Sequence, residues 1–530
     1  MDFSQFAGPF LPEILLLSGT LLVFLLDVLG VRRIEAVGAV AVGATALALL
    51  FVLADLGFAP IAALATVPSG QVNPVVAPGA SPLYAFTSLG FVFQGIFLIA
   101  ALLVGLASMS RPSHERGAPI FYGLLLLATL GMLLVAVASD LIFLLLSIEL
   151  TSISTYLLVG YTRRDVRSLE AAMKFYIIGA LSTTLSFFGA SLLYGAYGTT
   201  NLYVIRSVAG AVGYPVLVLL GYGFLIAGLA FKATLVPFHA WAVDVYDGAP
   251  TDVAAFLTGG SKKVGLFAFF LVLLGPVLFL APGAGGSPFS GGTLDLGPIL
   301  QLTLAVLAVL TMTVGNVLAL LQREMKRMLA YSSISQAGYM LIGIAIGTSP
   351  ALAGATLQMF AHVFMKTGAF LVVAGVTALG VGPLISDWKG LGLRRPLLGV
   401  AFGLMLLSLA GVPLTVGFVS KFVLFSAAVE AKGYFVWLAV AGLLNSALSV
   451  FYYARVLKVM FFDQPEPSPL PAGAVVGGSG APPLPAGGLG YARAAAIAIA
   501  AVAIVAFGIY PQPVLGAIQT AAQHFLGVGA

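Results

Sequence analysis

The chain has 530 residues, 60% hydrophobic and only 8% charged, against about 25% charged in a soluble domain, which excludes a soluble globular protein. The net charge of +5 is spread over many short loops, so it does not make a nucleic-acid-binding patch. The absence of cysteine excludes disulfides, cysteine-ligated iron–sulfur clusters and thiol chemistry within this chain.

Apolar runs near 20 residues recur along almost the whole length, each long enough to cross the hydrocarbon core. A β-barrel would show short alternating segments instead. The fold class read from this is an all-α polytopic membrane protein. Fourteen spans are predicted, near 11–30, 36–55, 83–107, 119–138, 141–161, 171–197, 214–247, 252–281, 299–321, 326–347, 351–380, 398–430, 434–462 and 491–510. The first has no basic n-region or clear small-residue cleavage site, so it reads as a retained span and not a signal peptide.

The fifth span, in LLLSIELTSIS, carries Glu149. Glu149, Ser152 and Tyr156 share one helical face, giving the carboxylate a polar seam. The seventh and twelfth spans are too long for one crossing, and both contain proline: LAFKATLVPFHAW and SLAGVPLTVGFVSKF. Proline removes a backbone hydrogen bond, and freed backbone groups are tolerated at membrane depth only inside protein or beside a wet cavity. Pro237 and Pro413 therefore mark two broken interior helices. His239 flanks the first break and is a candidate lining group on the uptake side.

Five lysines lie inside apolar spans: Lys232, Lys262, Lys263, Lys366 and Lys421. A charge at the bilayer centre costs roughly 2.5–3.5 kcal/mol on insertion scales and marks an ion or proton path by default. Burial disfavours an ammonium, and a nearby acid favours it, so Lys232 with a mobile Glu149 can take up and release a proton. The alternative for Lys232 is snorkelling to the interface; for Glu149 it is purely structural pairing. Lys262 and Lys263 point in different directions on their helix, which leaves one, Lys262, for the ion path. His362 and Lys366, four apart in QMFAHVFMKTGAF, are expected on one face as relay groups, with a satisfied core histidine as the alternative. Lys421, after the second break, is the candidate exit-side carrier. His114 and His524 are expected in loop and tail. Four scattered histidines have no metal-ligand spacing, and no phosphate-binding loop, flavin or haem motif is visible.

Alternate loops hold 17 of the 24 basic residues, from Arg32/Arg33 to Arg455/Lys458/Arg493, and the opposite loops hold only Arg206 and Lys432. This predicts basic loops in the cytoplasm and both termini outside. The loops 56–82 and 281–298 and the segment 463–490 are Gly/Pro-rich, and the last reads as a flexible linker. A repeat is also visible. IELTSISTYLLVG, ending at Gly160, and YSSISQAGYMLIG, ending at Gly343, are offset by 183 residues, and each is followed by a proline-broken span. Paired broken helices are a transporter signature. The expected division is a three-helix segment 1–110, a first five-helix repeat 111–281, a second, inverted repeat 282–462, the linker 463–490, and a last span with outer tail 491–530.

At PFHAWAVDVYDGAPTDVAAFLTGGSKK (237–263) and KRMLAYSSISQAGYMLIG (326–343) the chain resembles the N subunits of respiratory complex I, antiporter-like membrane subunits. IELTSISTYLLVGY and GVPLTVGFVSKF add support, and VYDGAP followed by FL…SK favours N over the M and L relatives. The likeness is clearest from the third span to the thirteenth. Val243 stands where the family pattern usually has proline. The resemblance implies that Glu149 and Lys232 are a coupled pair, Lys262 the central relay and Lys421 the terminal lysine, with less secure roles for His362 and Lys366. It implies a non-redox subunit of a proton-translocating NADH:quinone oxidoreductase, with K-like and M-like neighbours in the cell membrane. NADH or a related donor, iron–sulfur clusters and quinone are expected in partner subunits and no cofactor in this one. Two rivals are a subunit of a multisubunit sodium/proton antiporter, which shares the fold, and a membrane scaffold that does not pump.

Overall fold

The computed structural model describes residues 8–58, 61–65, 83–110, 117–162, 164–208, 214–274, 296–464 and 489–527. Arg111, His114, Arg116, Arg163 and most of the loops near 56–82, 281–298 and 463–490 lie outside the described residues.

The first three helices are α1 (Leu11–Val28), α2 (Ile34–Asp55) and α3 (Ser88–Ser108). A first set follows: α4 (Ala118–Ala136), α5 (Leu141–Val159), α6 (Val166–Tyr197), the short α7 (Leu202–Val208), the broken pair α8 (Pro215–Ala233) and α9 (Ala240–Gly248), and α10 (Thr251–Leu273). A second set repeats the order: α11 (Leu296–Leu321), α12 (Met325–Ile346), α13 (Ser349–Ala378), the broken pair α14 (Pro396–Ala410) and α15 (Val416–Glu430), and α16 (Phe435–Phe461). The chain closes with α17 (Tyr491–Ile509) and α18 (Gln512–Leu526). Thirteen of the described helices are long and apolar enough to span a membrane; α14 with α15 makes the fourteenth crossing. Each set crosses five times, so the second starts from the opposite face and is inverted relative to the first.

Local chemistry sets the boundaries. Asp140 caps α5 by accepting from the backbone N–H of Ile142 (2.8 Å) and Phe143 (3.2 Å). The helix α8 stops at Thr234, whose φ of 59° is left-handed, three residues before Pro237; the residue before proline disfavours helix. The helix α14 stops at Gly411, with φ 90°, two residues before Pro413, a position where glycine carries no Cβ penalty. Both breaks thus fall where the prolines place them.

The interior is made by α10, α12 and α13, whose most apolar stretches are 94%, 94% and 100% buried, against 33% for α1, α2, α6 and α17. The outer helices shield the inner ones from lipid, which lets the inner ones carry Ser, Gln, His and Lys. The tail after the last span forms the helix α18. It buries Leu515, Ile518, Ala521, Ala522 and Leu526 on one side, and at 15 residues it is too short to cross. His524 is therefore on a packed helix, with Nδ1 3.5 Å from Ser88 Oγ.

Candidate functional site

The first station lies where α5, α6 and α8 meet. Lys232, in the last turn of α8 and 5% exposed, donates from Nζ to Ser152 Oγ at 2.9 Å. Glu149, half-buried, accepts from Thr183 Oγ1 at 2.5 Å. Ammonium and carboxylate line one small cavity of about 20 Å³, room for one or two waters. They form no direct ion pair; a hydroxyl holds each, and Ser152 stands one turn along from Glu149. The cavity depends on the close approach of α6 and α8, where Ser182 Oγ donates to Gly228 O at 2.7 Å. A Cβ on Gly228 would lie 1.9 Å from Ser186 Oγ and 2.7 Å from Ser182 O. Gly228→Val is therefore expected to push α6 from α8. The complex should show a lower melting temperature in detergent, with a loss of about 1–3 kcal/mol typical of overpacking; an unchanged melting temperature would contradict this packing.

The second station is the α10–α12–α13 crossing. Here the helices carry wider, π-helical turns at Leu257–Ser261 and Val363–Thr367, a feature that clusters at functional sites. Lys262 follows the first of these and donates to Ser333 O (2.9 Å) and Ser333 Oγ (2.8 Å). Its ammonium also sits 5.6 Å from the Tyr246 ring centre. Lys366 reaches Ser332 Oγ, next in sequence to Ser333, so two lysines meet one serine pair from opposite sides. Lys263 is fully buried as well, bound to the Thr258 and Gly259 carbonyls and 3.3 Å from His362 Nδ1. The adjacent lysines are both buried and point in different directions, Lys262 to α12 and Lys263 to α13. His362 and Lys366 have different partners, Lys263 of α10 for His362 and Ser332 of α12 for Lys366.

The third station surrounds the second break. Lys421 donates to the Leu409 (2.8 Å) and Ala410 (3.1 Å) carbonyls and to Ser446 Oγ (2.9 Å). These carbonyls end α14, where unsatisfied acceptors and the helix dipole both favour a cation. Gln336 also donates to Leu409 O (3.3 Å), Gln358 to Gln336 Oε1 (2.6 Å), and Ser420 to Gln358 Oε1 (2.5 Å). Only one turn of α12 separates Ser332 from Gln336, so buried polar groups run from Lys262 to Lys421 with that single step. Beyond Lys421 a groove of about 590 Å³ between α15 and α16 leads past Phe422 and Phe425 to Glu430.

On the basic-loop side, Asp244 of α9 bridges Lys174 (3.1 Å) and Arg327 (3.2 Å). Lys326 binds the Asp247 and Ala249 carbonyls. A cavity of about 340 Å³ opens here, lined by Asp165, Arg167, Asp247, Thr251, Glu324 and Lys326, at the foot of α10. His239 directly precedes α9 and is half-buried, with no side-chain cap hydrogen bond and a buried Nδ1 that has no hydrogen-bond partner; no hydrogen bond links it to the lysines. Among the described residues no cluster of His, Cys, Asp and Glu suits a metal ion.

Residues 138–449 match the family described as NADH:quinone oxidoreductase/Mrp antiporter, transmembrane. The chain belongs to this family. Within this antiporter-like family it is 42% identical to F(420)H(2) dehydrogenase subunit N of Methanosarcina mazei, over 73% of this chain and 76% of that protein. It is 44% identical to NADH-quinone oxidoreductase subunit N of Trichlorobacter lovleyi, over 71% and 74%. A chain of respiratory complex I from Thermus thermophilus with bound aureothin superposes with a TM-score of 0.73 at 31% identity, covering 96% of this chain and 99% of that one. The family thus agrees with the motif resemblance and with the fold.

Reading the sequence for charges missed the neutral links: Thr183, Ser332, Ser333, Gln336, Gln358 and Ser420. Their signal was YSSISQAG itself. The offset of 183 residues sets Ser332 where Glu149 stands in the first repeat. Further buried charges were also missed: Asp140, the cap of α5, Glu13, which accepts from Gln94 at 2.7 Å, and the pair Asp252 and Arg493. Arg493 had been assigned to a basic loop; it begins α17 and is 4% exposed.

Proposed function

We infer that this chain is a proton-pumping membrane-arm subunit of a complex I-type donor:quinone oxidoreductase. The observation that carries the reading is the set of buried lysines Lys232, Lys262, Lys366 and Lys421, spanning both repeats of a family member, with hydroxyl and amide groups leading from Lys262 past Lys366 to Lys421. Ionisable groups at that depth pair with one another and mark proton relays. In this reading the basic loops are cytoplasmic, both termini are outside, and the protein sits in the cell membrane beside K-like and M-like neighbours. The chain has no thiolate to ligate a cluster, and it performs no redox step. Donor oxidation, iron–sulfur clusters and quinone reduction belong to partner subunits.

A proton enters from the 340 Å³ cavity at the foot of α10 and reaches Lys262. The Ser333–Ser332 pair passes it to Lys366, with His362 and Lys263 beside them. Gln336, Gln358 and Ser420 bound the next stretch to Lys421. Release follows through the α15–α16 groove. Glu149 and Lys232 form the switch. When the carboxylate turns from Lys232, the ammonium loses the anion that helps hold its proton, and the charge facing Lys262 changes.

The test is gentle affinity purification from native membranes, with mass spectrometry of the partners, then reconstitution in vesicles with a pH-sensitive dye. Iron–sulfur and quinone-site subunits with donor-driven acidification of the receiving compartment are expected. Recovery of small antiporter subunits alone, with sodium-driven proton exchange, would instead make this an antiporter subunit. A redox complex whose proton yield ignores lysine substitutions would make it a scaffold.

A further inference from the structure

A second charged site lies outside the lysine series. Asp252, in the first turn of α10, is 1% exposed, and its Oδ2 is 3.5 Å from Nη2 of Arg493, at the start of α17 and 4% exposed. The backbone N–H of Arg493 donates to Ser110 Oγ at 3.1 Å, just past α3, and a Cβ on Gly375 of α13 would lie 3.5 Å from Arg493 Cδ. The pair therefore sits where α3, α10, α13 and α17 converge. Asp252 follows Thr251, which lines the 340 Å³ cavity together with Val373 and Thr377 of α13.

Stability does not account for such a pair. Removing two charges from water costs several kcal/mol per ion, and apolar residues of similar volume often do as well or better. Position supplies the other half of the argument. Lys263 is eleven residues on along α10, about 16 Å at helical rise, and contacts His362 of α13. Between the two ends, the α10–α13 seam holds Thr367 Oγ1 and His362 Nε2, both buried without a hydrogen-bond partner. A Cβ on Gly259 would come within 2.0 Å of Thr367 Oγ1, so the seam keeps a small residue against this hydroxyl. Buried polar atoms in such a place are ordinarily satisfied by water.

We propose that Asp252 and Arg493 gate a second proton-uptake branch, running from the cytoplasmic cavity along the α10–α13 seam past Thr367 to His362 and Lys263. The closed gate is the ion pair. Separation of Arg493 from Asp252 frees the carboxylate to accept a proton from the cavity and hand it inward, and the returning guanidinium restores the pair. The branch joins the lysine series at the α10–α13 crossing.

The proposal rests on the proton-pumping reading above. Its test uses the whole complex in vesicles, measuring protons moved per electron and melting temperature together. Asp252→Leu with Arg493→Met removes both charges and keeps apolar volume. The expected result is wild-type stability and retained electron transfer with a lowered proton yield per electron. Thr367→Val, which removes only the orphaned hydroxyl, is expected to lower the yield in the same direction. Full proton yield in the double variant makes the pair a tether for α17 and overturns the proposal. Should the double variant not assemble, Asp252→Asn decides the point, and full yield from it overturns the proposal equally. Wild-type complex that moves no protons in the same vesicles would fail the pumping reading instead.

Discussion

Lys232→Arg is expected to stop coupled pumping almost as completely as Lys232→Met, although it preserves the positive charge. A structural ion pair would tolerate arginine; a proton carrier would not, because a guanidinium stays protonated at every pH the protein meets. Geometry sharpens the contrast. Lys232 Nζ meets Ser152 Oγ at 2.9 Å beside a cavity that holds one or two waters, so a planar fork has little room. Glu149→Gln completes the test. Glutamine still offers an oxygen to the Thr183 hydroxyl that Glu149 accepts at 2.5 Å, but it brings no charge. We expect assembly to persist and proton pumping with coupled donor:quinone turnover to fall about tenfold, equivalent to about 1.4 kcal/mol. Glu149→Ala should behave likewise, and Glu149→Asp should retain part of the activity. Normal pumping by an assembled Glu149→Ala or Lys232→Arg complex removes the pair from the mechanism.

The buried lysines are legible in the sequence because a lysine in an apolar helix has few innocent explanations. Lys232, Lys262, Lys366 and Lys421 are all buried. The breaks were equally legible, since proline acts locally on its own backbone. The direction in which each side chain points was not. The four-residue spacing sets His362 and Lys366 near one face, yet His362 meets Lys263 on α10 and Lys366 meets Ser332 on α12. Those partners are set by tertiary packing and have no local signature. The same holds for Lys263, whose partner His362 is 99 residues away. Arg493 was misread for a related reason. Next to a linker and at a helix start it has the look of a loop charge, and only the position of Asp252, far back in sequence, explains its burial. Neutral links such as Ser332 and Gln358 are common residues in any helix. What singles them out is whom they touch.

Lys421 sits where the consequences of substitution divide into two measurable parts. Its ammonium satisfies the Leu409 and Ala410 carbonyls that the break at Gly411 leaves without helical partners, and the Tyr339 ring lies 5.0 Å away. Lys421→Met removes donor and charge together. Ser446 Oγ still donates to Ala410 O at 3.0 Å, and Gln336 to Leu409 O at 3.3 Å, so neither carbonyl is abandoned. The folding cost should stay near 1–3 kcal/mol, that of a lost buried hydrogen-bond donor, seen as a modest drop in melting temperature. Pumping should fall far more, by about a hundredfold, or about 2.7 kcal/mol, because the groove to Glu430 then receives no proton carrier. Lys421→Arg separates the effects: it can restore the carbonyl contacts and the melting temperature without restoring release, since it does not give up its proton. Recovery of pumping in Lys421→Arg would mean that the charge at the second break holds α14 to α15 and that protons leave by another route.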